Sequence, residues 1–182
     1  DVAERALAAA AAAVAKVDAA LSLFRPDSAL CRLNAEGELS EAPQPLVAVL
    51  RIAREAARRS GGTFDPSVQP LWRTWFEAHL RGVVPSAHEV AAARARCGFD
   101  GVLVDERRVR LPRRDMAITL NGIAQGFAAD EARRALSRHG VEHALVDTGE
   151  WWPLGHSEAG VPWQLGIARP AAAPASPNWP KL

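Results

Sequence analysis

The sequence predicts an α+β domain in which helices pack on a layered sheet of mixed or antiparallel strands. Three observations predict it. Apolar residues recur at helical spacing over residues 2–23, 45–59 and 123–139, while short β-type runs lie between and after them. Two of those runs, 101–105 and 108–111, flank a charged turn and read as a hairpin. Strands and helices do not alternate strictly, which argues against a doubly wound parallel sheet.

The elements follow in chain order. Residues 2–23 are Ala-rich, with Leu7, Val14, Val17 and Leu21 at helix-compatible spacing, and form a long first helix. Pro26 stops it. Asp27 or Ser28 caps a short turn carrying Leu30 and Leu33, and Asn34, Glu36 and Gly37 read as loop. Pro45 opens a second helix with Leu46, Val49, Leu50, Ala53 and Ala57 on its apolar stripe, ended by Ser60-Gly61-Gly62. A turn with two prolines then delivers Leu71, Trp72, Trp75 and Phe76, which read as an aromatic core cluster. Ser86 with Glu89 is a capping box that starts another helix through Arg96.

After the hairpin, residues 116–120 suit a buried strand, and Gly140 ends the helix that follows. Residues 143–147 and 163–168 read as two more strands. The segment between them, Thr148 to Gly155, reads as a connection in which at least one of Trp151 and Trp152 is exposed. From Pro170 the composition turns to Ala, Pro and Ser, so residues 1–169 are assigned to the domain and 170–182 to a tail or truncated edge.

A chain of 182 residues with 48% apolar content can bury a substantial core as one domain. Its 22 basic and 21 acidic side chains leave a net charge of +1, which gives no general pull toward nucleic acid or anionic membrane. There is no apolar run of about 18 residues. The chain opens on Asp1 within a helical pattern, and so reads as trimmed and compatible with a mature exported fragment. Cys31 and Cys97 form no Cys-x-x-Cys pair and read as small core residues, with a disulfide left open for an oxidising compartment. The five histidines are scattered.

The chain is organised around Ile118-Thr-Leu-Asn-Gly-Ile-Ala-Gln-Gly-Phe-Ala-Ala-Asp130, an apolar run ending in a glycine turn that opens straight into a helix. Such a junction offers unpaired N–H groups to a phosphate or pyrophosphate, and a turn carbonyl to a hard cation. For an isolated Gly-x-x-x-Gly the favoured reading is plainer: Gly122 and Gly126 only let the helix pack closely on its sheet. Neither Gly-x-x-x-x-Gly-Lys-Ser/Thr nor Gly-x-Gly-x-x-Gly occurs, so a P-loop or Rossmann site is unsupported. Asp130, on the helix interior, reads as a local hydrogen-bond or salt-bridge partner.

This stretch resembles the core signature of the ApbE-type flavin transferases, Asp-Leu-Gly-Gly-Ile-Ala-Lys-Gly-Tyr-Ala-x-Asp. Further stretches resemble the family in its order. These are Leu21-Ser-Leu-Phe-Arg-Pro-Asp-Ser-Ala-Leu-Cys-Arg-Leu-Asn34, Gly62-Thr-Phe-Asp-Pro-Ser-Val-Gln-Pro-Leu71, Leu145-Val-Asp-Thr-Gly149 with Leu154-Gly155, and Pro162-Trp-Gln-Leu-Gly-Ile167. The resemblance covers most of this chain but only the first half to two-thirds of a family member. Asn121, Gln125 and the Gly149-Glu150 pair look like the NosX branch, which serves nitrous-oxide respiration.

The resemblance implies magnesium-dependent transfer of FMN from FAD to a threonine of a membrane-associated partner flavoprotein, with AMP released, in the periplasm. Carried over by position, Phe24 lies against the flavin. Thr63, Phe64 and Asp65 line the FAD site, as do Thr119 and Gln125, and Gly122 offers its carbonyl to Mg2+. The departures are Thr119 for an Asp and Gln125 for a Lys or Glu. The family's Asp and Thr magnesium ligands and its His-x-x-Asp-Pro segment belong to a region after position 182. A non-catalytic flavin-binding maturation partner and an FAD pyrophosphatase are the rival readings.

Overall fold

The computed structural model describes residues 1–149 and 151–166. Helix α1 (Val2–Leu21) starts where Asp1 accepts a hydrogen bond from the Ala3 amide, and it buries Ala6, Val17, Ala20 and Leu21. Ser28 caps α2 (Ala29–Glu36) through the Cys31 amide, and Gly37 at φ +78° closes it in the left-handed region that glycine reaches without steric cost. Helix α3 (Gln44–Arg59) has proline in its first turn and keeps Leu46, Val49, Leu50 and Ala53 fully buried. Helices α4 (Gln69–Leu80) and α5 (Ala87–Arg94) pack on each other, the latter opened by the Ser86–Glu89 capping box.

Two small antiparallel sheets complete the described fold. Strands β1 (Glu38–Leu39), β2 (Leu103–Val104) and β3 (Val109–Arg110) lie in the order β1-β3-β2, with Arg110 opposite both Glu38 and Leu103. Strands β4 (Ala144–Asp147) and β5 (Trp151–Leu154) pair with Val146 opposite Trp152. Between the sheets in sequence runs α6 (Ala124–Arg138), the principal partner of α1. That contact explains the alanine content of both helices. Ala6, Ala10 and Val14 of α1 meet Ala132 and Leu136 of α6 there, with Val146 of β4 in the same cluster, and the alanines let the two helix axes come close. The main core gathers the end of α1, α2, α3, Phe99 and the 116–120 segment.

Several expectations are corrected. Residues 116–120 are buried, with Ile118 and Leu120 inaccessible, but they form no strand. Their polar groups are met by a side chain and a turn carbonyl in place of a ladder. Asn34 and Glu36 are helical, not loop, because the αL cap at Gly37 lies beyond them. Residues 69–80 form a helix, since Pro70 falls in its first turn, where its missing N–H costs nothing.

The aromatic cluster on that helix is not core. Trp72 stacks on Phe76 at 4.8 Å, yet Trp72, Trp75 and Phe76 are each roughly half exposed. Trp151–Leu154 is a strand, paired to β4, where a connection was expected, and both tryptophans are exposed. Residues 163–166 form no strand, and 167–168 lie outside the described residues, as does the 170–182 tail. Cys31 and Cys97 are free thiols and only half-buried. The histidines are not all scattered: the His143 and His156 rings lie 3.6 Å apart.

Candidate functional site

Asn34 on α2 anchors the segment that leads into α6. Its side-chain amide donates to the Ile118 carbonyl at 2.9 Å and accepts from the Ile118 amide at 2.7 Å, while the Thr119 amide donates to Pro66 at 2.8 Å. The chain is thus held extended until Leu120, whose carbonyl accepts from the amides of Ile123 and Ala124 at 2.9 and 2.8 Å and bends it into α6. No side chain caps α6; the Ala124 and Phe127 amides donate to Leu120 and Ile123, and those of Gln125 and Gly126 keep the capacity to meet an anion.

This turn separates two cavities. The first, about 460 Å3, has apolar walls from Val14, Val17 and Leu21 of α1, with Phe24 at its rim and Asn121, Gln125 and Thr148 as polar lining. The second, about 370 Å3, shares Asn121 and Gln125 and adds Gly122, Ile52, Asp130 and Trp152. Both lie in the size range of small-ligand sites. Trp152 is backed by the Arg133 guanidinium, 5.7 Å from the ring centroid.

Phe24, 86% exposed, is presented by a charged turn. Arg25 spans Asp18 and Asp27 at 3.2 Å each. The hydrogen bond from Arg25, with its charge, holds the Asp27 carboxyl below the usual carboxylate range, and the two carboxylates raise the guanidinium. Phe64 packs at the other side of the turn, where a Cβ built on Gly122 would lie 3.5 Å from its ring. Thr119 Oγ1 accepts from the Asn121 amide at 3.3 Å.

Five of the expected residues therefore converge: Phe24, Phe64, Thr119, Gly122 and Gln125 surround the turn. Thr63 is exposed and lines neither cavity. Asp65 points into the fold. Its carboxylate accepts from the Ser67 amide at 2.8 Å and the Ser67 hydroxyl at 2.5 Å, and that hydroxyl accepts from Gly98. The Cys97 thiol is pushed up by burial, with the Asp65 charge adding to it. Asp130, expected as a local partner, makes no side-chain hydrogen bond or ion pair among the described residues and lines the second cavity instead.

A magnesium ion does not fit these residues alone. Among the described residues no three His, Cys, Asp or Glu side chains come together, and Gly122 contributes one carbonyl where near-octahedral oxygen coordination is required. Sequence reasoning missed Thr148, Ile52 and the role of Asn34. Thr148 sits in the quoted 145–149 stretch, but nothing in a sequence says that its hydroxyl is buried.

The structure is an α+β domain with an apolar, aromatic-rimmed cavity beside an uncapped helix start, and its sequence has neither a P-loop nor a Rossmann motif. The chain belongs to the ApbE family, whose family model matches residues 1–180. It is similar to the FAD:protein FMN transferase of Treponema pallidum, 36% identical over 140 residues, covering 71% of this chain and 38% of that protein. The FAD:protein FMN transferase of Vibrio cholerae is 30% identical over 162 residues, covering 86% and 48%.

Among solved structures, the Pseudomonas stutzeri flavinyl transferase ApbE superposes with a TM-score of 0.78 at 31% identity, covering 90% of this chain and 53% of that one. The Vibrio cholerae flavin transferase ApbE gives a TM-score of 0.81 at 24% identity, covering 92% and 56%, a likeness of fold. The chain spans less than half the length of those two curated relatives.

Proposed function

We propose that this chain carries the flavin-binding part of an enzyme that moves FMN from FAD onto a threonine hydroxyl of a partner flavoprotein. The observation that carries the reading is the uncapped start of α6 between two cavities, with Phe24 on one side and Phe64 on the other. Family membership supports it.

Phe24 stacks on the flavin, and the backbone amides of Gln125 and Gly126 with the Gln125 side chain hold the pyrophosphate. Phosphoryl transfer is largely positioning and charge stabilisation, so such groups contribute without a protein nucleophile. The threonine Oγ–P bond forms as the P–O bond to AMP breaks, and the hydroxyl proton passes to solvent. Dependence on Mg2+ is part of the proposal, with side-chain ligands from outside the described residues. So are a periplasmic location and a membrane-associated acceptor. Asn121, Gln125 and Gly149-Glu150 support placement in the NosX-like branch and a role in nitrous-oxide reductase maturation.

The second reading, a non-catalytic flavin-binding maturation partner, is favoured by one observation, the lack of a metal-ligand cluster among the described residues. Intact-mass spectrometry of a threonine-bearing acceptor after incubation with this chain, FAD and magnesium separates the two. An EDTA-sensitive gain of one FMN phosphoester supports transfer. FAD binding with no gain, from this chain and from one extended past Leu182, supports the non-catalytic reading.

A further inference from the structure

We infer that Thr148 is a further ligand-binding residue of the first cavity, its hydroxyl hydrogen-bonding the flavin half of the bound dinucleotide. The inference rests on the flavin reading of that cavity and deepens it. Thr148 Oγ1 is buried and has no hydrogen-bond partner among the described residues. A buried hydroxyl left unpaired costs about 1–3 kcal/mol, and native structures seldom keep one without a reason. Thr148 lines the cavity that Phe24 rims, so a ligand there is the available partner.

Two features place that ligand's flavin half beside it. The cavity's α1 wall carries the aliphatic side chains of Val14, Val17 and Leu21, suited to a flat ring system and not to phosphates. The carboxylate on this wall, Asp18, is engaged by Arg25. The turn that carries Thr148 is also fixed against a proposed ligand residue. The Gly149 amide donates to Asp147 Oδ1 at 2.9 Å, Gly149 holds φ +88°, and a Cβ there would lie 3.1 Å from Gln125 Nε2. Thr148 and Gln125 therefore address one ligand from one side.

A hydroxyl kept for a ligand and one kept for the fold respond oppositely to removal. Thr148→Val preserves shape and deletes the hydroxyl. We expect flavin-fluorescence titrations to show FAD, FMN and riboflavin each binding about tenfold more weakly to the variant, the equivalent of one lost hydrogen bond. The unfolding midpoint without ligand should not fall, because an unpaired polar atom has been removed. Thr148→Ser should retain most of the affinity.

Unchanged flavin affinity in Thr148→Val overturns the inference. So does weaker binding accompanied by a lowered midpoint that Thr148→Ser fails to restore, which would make the hydroxyl structural. A loss seen with FAD but not riboflavin overturns the assignment to the flavin half. A wild-type chain that binds no flavin removes the reading of the cavity itself, an outcome distinct from wild-type binding that Thr148→Val leaves intact.

Discussion

The side-chain amide of Asn34 makes both hydrogen bonds of Ile118, donating to its carbonyl at 2.9 Å and accepting from its amide at 2.7 Å. One residue on α2 thereby does for the site-bearing segment what a neighbouring strand does in a sheet. Ile118 is fully buried, so water does not replace either bond. Asn34→Ala should lower stability by about 2–4 kcal/mol, because two buried backbone groups are left unpaired. Urea unfolding followed by circular dichroism measures it, and a loss under about 1 kcal/mol would mean that the segment is held by its neighbours alone.

That pair also marks where the sequence stopped being legible. The periodicity of residues 116–120 carries burial correctly, but burial and strand pairing are different things, and an apolar run reports only the first. Asn34 looked like a loop residue because asparagine favours turns, while its long-range partner lies 84 positions away. The converging residues Phe24, Phe64 and Gln125 were reached through the family's motifs, not through spacing. Asp65, a matching position, accepts from the Ser67 hydroxyl, a local bond that the motif alone does not show. Local signals were read well where the physics is local, as in the Ser86–Glu89 capping box and the Gly140 stop.

Gly122 and Gly155 should respond differently to a methyl group. A Cβ on Gly122 would make ordinary contact with Phe64, and its φ is not in the left-handed region, so Gly122→Ala should shift stability by less than about 1 kcal/mol. At Gly155, φ is +59°, and a Cβ would collide with His143 Nδ1 and the Glu142 carbonyl. Gly155→Ala should cost more than about 2 kcal/mol. Thermal unfolding of the two variants side by side tests the contrast, and equal midpoints would refute it.

The aromatic face of α4 should be energetically quiet in the isolated chain. Trp75 is 49% exposed. Its replacement by glutamine should change stability by less than about 1 kcal/mol, whereas a core tryptophan would cost about 3–5 kcal/mol. Chemical denaturation decides between them, and a large loss would return the cluster to the core that its composition predicts.

The turn that presents Phe24 should weaken in acid and in salt. Arg25 holds the Asp27 carboxyl below its ordinary range, so the folded state favours the ionised form. The stabilisation is fully present above the ordinary carboxylate pKa and disappears as the pH falls through the lowered value. Both partners are exposed, so salt screens the pair as well, and global stability should barely register its loss. The place to look is the presentation of Phe24. If the turn matters for ligand capture, Arg25→Gln should weaken flavin binding at low salt and leave the unfolding midpoint within error of wild type. Raising the salt concentration should narrow the difference between wild type and variant. An affinity gap that persists at 1 M salt, where the Debye length is about 3 Å, would mean that Arg25 acts by packing and not by charge.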